Sequence, residues 1–293
     1  MQTIPCKNIV IRTKSTGWFG ADYNMNIYRG CPHGCIYCDS RSDCYQPGDF
    51  DTVKIKENAL QVIRDDLRRK VKRGIVATGA MSDPYNPFEA AKLATRHSLE
   101  LLNAYGFGVA MATKSDLVVR DMDILQDIKA HSPAAVKMTV TAADDALCKI
   151  IEPNVVPTSA RFAALGELAE KGIYTIVLMM PLLPFINDTT ENAETIVRLA
   201  QKHNVRAVFP AFGLTMRQGQ REYFYDRLNA LFPGLRQKYE QRYGGRYECA
   251  SPKAKALYAA FAAQCEQAGL LYNMGDIIKS MKLGYEHTQL SMF

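Results

Sequence analysis

Tyr28-Arg29-Gly30-Cys31-Pro32-His33-Gly34-Cys35-Ile36-Tyr37-Cys38 places three thiols within eight residues, at the spacing C-x3-C-x2-C. Pro and Gly punctuate the stretch, and it follows an apolar run over 24–29, so it reads as a loop after a strand. A loop can curl three thiolates around one metal centre, whereas a strand sends neighbouring side chains to opposite faces. Soft thiolates suit iron–sulfur clusters or zinc. A closed structural site takes four protein ligands, while three leave one position open for chemistry. A zinc site would need His33 or Cys44 as its fourth ligand.

Outward from this loop, short apolar strands alternate with amphipathic helices. Strands are expected over 24–29, 74–79, 108–113, 136–141, 174–179 and 206–209. Helical periodicity lies between them. Leu60, Ile63, Leu67 and Val71 recur over 57–72, and Phe162, Leu165, Leu168 and Ala169 share a face over 158–171. Ile196, Leu199 and Ala200 do so over 189–203. Six strand-then-helix units predict an α/β protein with a parallel sheet. Pattern alone does not separate a barrel from an open doubly wound sheet.

The cysteine spacing, with aromatic Tyr37 just before the third thiol, resembles the radical S-adenosylmethionine (SAM) enzymes. That resemblance implies a [4Fe–4S] cluster on Cys31, Cys35 and Cys38, with SAM chelated to its open iron. It further implies reductive cleavage of SAM to methionine and a 5′-deoxyadenosyl radical, fed by a flavodoxin- or ferredoxin-like electron donor. The implied fold is a partial (β/α)6 TIM-type barrel, with the site at the C-terminal ends of its strands.

Two further stretches, Thr78-Gly79-Ala80-Met81-Ser82-Asp83-Pro84-Tyr85-Asn86-Pro87-Phe88-Glu89 and Ala112-Thr113-Lys114, look like the spore photoproduct lyase branch. The likeness covers roughly 20–215. It implies that Ser82 and Lys114 contact SAM, with Lys114 pairing its carboxylate as a point charge. Tyr37 and Asp83 are expected to support that site, and Thr139 or Thr141 to bond the ribose or amino-acid part. Met81 stands where that branch carries a cysteine that returns hydrogen to the product, and a thioether has no S–H to donate. Asp39 replaces a second tyrosine. Tyr37, Tyr85, Cys44 and Cys148 are the candidate return donors, and Tyr37 and Tyr85 are taken as the catalytic pair.

The chain has 293 residues, 47% hydrophobic and 23% charged, with 36 Lys+Arg against 30 Asp+Glu. This composition argues against disorder, a coiled coil or a collagen-like repeat. Eight cysteines in so long a chain do not make a disulfide-stapled secreted domain. The opening residues lack the layout of a signal peptide, and no apolar run spans a bilayer. A cytoplasmic location, with no membrane partner, is therefore expected.

The positive charge is concentrated. Residues 214–256 hold nine Lys/Arg and four Asp/Glu, interleaved with Tyr223, Phe224, Tyr225, Phe232, Tyr239, Tyr243 and Tyr247. Such a stretch can neutralise phosphates and stack on bases, or it can pack its aromatics on the barrel and solvate its charges. The chain ends Gln289-Leu290-Ser291-Met292-Phe293. This resembles the pentapeptide by which bacterial polymerases and repair proteins bind the sliding clamp. The expected organisation is a radical SAM barrel over 1–213, a basic helical extension over 214–280 and a clamp-binding tail over 281–293. The expected function is radical chemistry on DNA, such as repair of a lesion by a lyase. The alternatives are modification of RNA or protein, and a non-catalytic zinc or iron–sulfur protein that binds DNA.

Overall fold

The computed structural model describes residues 2–70 and 72–285. Its main sheet has seven strands: β1 (Val10–Arg12), β2 (Tyr23–Met25), β3 (Ile75–Thr78), β4 (Gly108–Thr113), β5 (Ala134–Thr139), β6 (Tyr174–Met179) and β7 (Ala207–Pro210). They lie side by side in chain order. β2 to β7 run parallel, and β1 pairs antiparallel with β2. Helices α1 (Ala59–Arg68), α2 (Ala94–Ala104), α3 (Met122–Lys129), α4 (Thr158–Glu170) and α5 (Thr190–Lys202) make the five crossovers.

A doubly wound sheet reverses its strand order at a switch point. Here the order rises steadily, so right-handed crossovers carry every helix to one face. The sheet does not close among the described residues, since β1 and β7 are its edges. Five of the six expected strands are present, two with the expected bounds; the first, 24–29, is split, with Tyr23–Met25 in the main sheet and Tyr28–Arg29 in a separate small sheet. The three expected helices lie where the periodicity placed them. Thr189 caps α5 by accepting from the Asn192 N–H at 3.1 Å.

Strand alternation decides what each face meets. Val109, Met111, Val136, Met138, Val177 and Val208 face the helices and join Ile63, Leu102, Leu125, Leu165 and Ile196 in the main core. Leu165 and Ile196 are fully buried, so truncating either to Ala would cost about 2–5 kcal/mol. The other face carries smaller residues. Ala110 and Ala135 meet Met281, while Ile176, Leu178 and Ala207 meet Phe19 and Ile277.

The C-terminal segment is more mixed than a helical extension. It holds α6 (Gln220–Leu231), α7 (Leu235–Tyr243), α8 (Ala254–Ala268) and α9 (Met274–Lys282), but also an antiparallel pair, Gly213–Thr215 with Glu248–Ala250. Phe224, Tyr225, Tyr239 and Tyr243 are buried in a second apolar cluster with Ile36 and Tyr37. Most of the aromatic excess therefore belongs to packing. Leu271 covers the β7 edge, its carbonyl accepting from the Val208 N–H at 2.9 Å. α9 supplies Ile277 and Met281 to the inner face and ends one residue beyond the expected start of the tail. The clamp-like Gln289–Phe293 stretch lies outside the described residues.

Candidate active site

The three cysteines meet at the C-terminal ends of β3, β4 and β5. Cys31, Cys35 and Cys38 line one cavity of about 90 Å³ with Met81, Ser82, Asp83, Lys114 and Thr139. Two glycines allow the loops to come this close. Gly79 has φ +92°, and a Cβ there would collide with the carbonyl oxygen of Ala112. Gly30 has φ +79° and abuts the backbone of Thr52.

Asp83 ties three loops together. Its Oδ1 accepts from the Tyr85 N–H at 2.8 Å and the Thr113 hydroxyl at 2.7 Å. Its Oδ2 accepts from the Lys114 N–H at 2.8 Å and lies 3.5 Å from Nδ1 of His33. The Ser82 hydroxyl donates to the Gly30 carbonyl, tying the loop after β3 to the cysteine loop. Ser82 and Asp83 thus line the cavity and also hold its walls.

Burial and Asp83 push the Cys31 thiol up to about 11, and burial pushes Cys35 well above its ordinary value. The thiolate forms must therefore be stabilised by whatever binds them. Burial lowers the His33 pKa, which favours a neutral ring. Burial also opposes the Lys114 ammonium, but Cys35, Glu152 and Cys38 outweigh it and hold its pKa above that of an ordinary lysine. The Lys114 Nζ stands 5.7 Å from the Tyr37 ring centre.

Behind the cysteine loop lies a network that the sequence reading missed. The buried Tyr37 hydroxyl donates to Oε1 of Glu152. Oε2 of Glu152 pairs with Nη1 of Arg161 at 2.6 Å, with both side chains sealed from solvent. Arg161 also donates to the carbonyls of Thr139 and Val156, at 2.8 and 2.9 Å. Burial works against the Glu152 carboxylate, yet Arg161 and Lys114 hold its pKa below the usual carboxylate value. One signal was available: Arg161 falls at the helical spacing of Leu165 and Leu168, inside an apolar stripe.

The structure does not bring every expected residue into the cavity. Tyr85 is buried beside it, and its hydroxyl donates to Oδ2 of Asp121 at 2.9 Å. Tyr37 faces Glu152 and lines a separate cavity of about 390 Å³ at the ends of β6 and β7, with Asp39, Met180, Phe212, Thr215 and Cys249. Thr139 lines the cysteine cavity, whereas the Thr141 hydroxyl is buried without a partner. Cys44 is exposed beside Arg217 and is absent from the cavity lining. Cys148 is buried against Arg161 at 3.3 Å.

The donor set suits a cluster. Among the described residues, no three Cys, His, Asp or Glu side chains converge on a single ion. A [4Fe–4S] centre takes its thiolates on separate irons, so its ligands line a cavity instead of meeting at a point. Three soft thiols that share one cavity with a lysine and a threonine fit an iron–sulfur centre beside a charged cofactor.

Residues 25–200 match the radical SAM superfamily, and the chain belongs to it. Its members use a [4Fe–4S] cluster and SAM. An uncharacterized protein of Mycobacterium tuberculosis is 29% identical over 245 residues, covering 81% of this chain and 72% of the relative. An uncharacterized protein of Methanocaldococcus jannaschii is 34% identical over 172 residues, covering 58% and 63%. Among solved structures, spore photoproduct lyase complexed with dinucleoside spore photoproduct aligns with TM-score 0.65 at 14% identity, covering 90% of this chain and 79% of the other. The radical SAM methyltransferase TsrM from Kitasatospora setae, with tryptophan substrate and a SAM analog bound, aligns with TM-score 0.58 at 12% identity, covering 90% and 60%. At these identities the likeness concerns the fold. No helix among the described residues is long and apolar enough to cross a membrane.

Proposed function

We propose that this protein is a radical SAM enzyme that acts on DNA, built on a partial (β/α)6 barrel opened toward a large substrate. The observation that carries the reading is the single cavity shared by Cys31, Cys35, Cys38, Lys114 and Thr139 at the strand ends. When bound, the [4Fe–4S] cluster and SAM supply an electron and a 5′-deoxyadenosyl radical able to abstract hydrogen. The chain's own residues bind and orient. Lys114 offers a positive charge to a carboxylate, and Thr139 offers a hydroxyl to the ribose or amino-acid part. Asp83 fixes the loop that carries Lys114, and Arg161 holds the Thr139 carbonyl.

The DNA assignment draws support from the likeness to a lyase holding a dinucleoside lesion. An arginine set among aromatic rings at the surface also favours it. Arg217, about a third exposed, lies 5.4 Å from the Tyr45 ring centre and 5.1 Å from that of Tyr247, whereas the Arg41 side chain is mostly buried between Phe50 and Tyr223 and pairs with Asp51. The Arg217 set suits a phosphate backbone with splayed bases. The adjoining cavity of about 390 Å³, with its apolar Met180 and Phe212 and its polar Asp39 and Thr215, suits a base. The Met81 thioether cannot return a hydrogen atom, so the reaction is proposed to differ from dimer reversal through a thiol at that position.

The test is anaerobic reconstitution followed by assay of 5′-deoxyadenosine with dithionite. Replacing Cys31, Cys35 or Cys38 with Ala is expected to abolish its formation, and full retention would sink the assignment. Deuterium transfer from labelled lesion-bearing DNA into 5′-deoxyadenosine tests the substrate. Transfer only from RNA or protein would favour the corresponding alternative. The tail has its own test. Deleting residues 289–293 is expected to abolish binding to a bacterial sliding clamp, and unchanged binding would remove that partner.

A further inference from the structure

Lys137 occupies β5 two residues before Thr139, so both side chains leave the same face of the strand, about 7 Å apart along it. Thr139 lines the cysteine cavity. Lys137 is only 2% exposed, on a face shared with Ala135, Ile176 and Leu178. Its Nζ lies 4.6 Å from the centre of the Phe19 ring. Among the described residues no acidic side chain offsets its charge, and burial alone lowers its pKa, to about 8.

Every other deeply buried cation near the site has a counter-charge. Arg161 has Glu152 at 2.6 Å, and Lys114 feels Glu152 and the cysteines. An unpaired ammonium among apolar residues costs stability, and a hydrocarbon side chain of similar size would avoid that cost. Folding does not account for the charge. Lys137 does not itself line the cysteine cavity, but Thr139 on the same strand face does. A thiolate-ligated cluster there would be anionic, and reduction would add a further negative charge. A cation held in low dielectric on that face favours the reduced state.

We propose that Lys137 is a positioning residue that makes the cluster on Cys31, Cys35 and Cys38 easier to reduce, by supplying an uncompensated positive charge from the inner face of the sheet. The inference rests on the cluster assignment above. Arginine keeps the charge, whereas methionine keeps the length and apolar stem without it.

The experiment is a redox titration of the anaerobically reconstituted full chain followed by electron paramagnetic resonance. Wild type is compared with Lys137→Met, Lys137→Gln and Lys137→Arg. Both neutral variants are expected to shift the midpoint to more negative potential, with a reduced-to-oxidised ratio about tenfold lower at a fixed potential. Lys137→Arg is expected to stay near wild type. Thermal unfolding of the metal-free chains provides a second readout: Lys137→Met is expected to melt no lower than wild type, whereas a purely structural lysine would be missed. An unchanged midpoint in both neutral variants, or an equal shift in Lys137→Arg, overturns the proposal. A wild-type chain that incorporates no iron overturns the cluster assignment itself, an outcome distinct from an unshifted midpoint.

Discussion

Two buried tyrosine–carboxylate–arginine networks brace the same end of the sheet. In the first, Tyr37 donates to Glu152, and Glu152 pairs with Arg161. In the second, Tyr85 donates to Asp121, which meets Arg96 at 3.3 Å and Arg120 at 2.7 Å. Arg120 also reaches Glu89 at 3.1 Å, and Glu89 accepts from the Tyr28 hydroxyl. The first is a sealed contact pair whose arginine has a single carboxylate, with Lys114 adding to the field on that carboxylate, and its tyrosine stands between Cys35 and Cys38. The second shares two cations between two buried carboxylates, and those arginines keep roughly a quarter of their side-chain surface in solvent. Similar chemistry therefore carries different risks: Arg161 has no second carboxylate, whereas Arg96 and Arg120 each do.

The largest expected effect follows from that asymmetry. Glu152→Gln leaves Arg161 charged in the interior with only neutral acceptors, the carbonyls of Thr139 and Val156 and the Cys148 sulfur. It is expected to cost about 3–5 kcal/mol in urea unfolding. Asp121→Asn leaves Arg96 with Asp123 and Glu100, and Arg120 with Glu89, so about half that loss is expected. Equal losses would break the comparison.

A smaller effect separates position from stability. Tyr37→Phe and Tyr85→Phe each remove one hydrogen bond to a buried carboxylate, and each is expected to cost about 1.5–3 kcal/mol. Only Tyr37→Phe releases a side chain lying between two of the proposed cluster ligands. The reconstituted Tyr37→Phe protein is expected to bleach faster in air, followed by loss of visible absorbance, while Tyr85→Phe bleaches like wild type. Equal bleaching rates would mean that the two networks support the loop alike.

The same contrast explains what could be read from sequence. The meeting of the three cysteines at one cavity was legible because they are close in sequence, and the placing of Ser82, Asp83 and Lys114 on its wall because each closely follows a strand end. The six parallel strands were legible from apolar runs covered on both faces. Tyr85 was misleading. It follows Asp83 by two residues, yet its backbone N–H bonds that carboxylate while its ring turns into the helix layer. Glu152 and Arg161 were missed because their partners lie over a hundred residues away in the case of Tyr37, and no local spacing encodes a meeting at that distance. The basic segment was legible as composition but ambiguous as function. Phe224, Tyr225, Tyr239 and Tyr243 belong to a core, and Arg221 spends its donors on the carbonyls of Met216, Gly244, Gly245 and Arg246. What this segment leaves at the surface is a narrower patch around Arg217 and Tyr247, where the guanidinium already donates to the Tyr45 and Tyr247 hydroxyls.

The smallest expected effect lies at the outer edge of the second network. Arg96 forks onto Asp123, with Nη2 to Oδ2 at 2.7 Å. That hydrogen bond draws the Asp123 pKa down to about 2 from its ordinary 3.8. A depressed carboxylate stabilises the fold above its unfolded value, and the contribution fades as pH falls from about 4 toward 2. Asp123 is 64% exposed on its side chain, so water screens the pair and its worth at neutral pH is about 0.5 kcal/mol. Asp123→Asn is expected to lose that much in urea unfolding at pH 7, less in high salt, and to match wild type near pH 2. The Glu152 pair, sealed from solvent, should keep its contribution in the same salt. If salt weakens both pairs equally, burial is not what distinguishes them, and the assignment of a sealed brace to the cysteine loop fails with it.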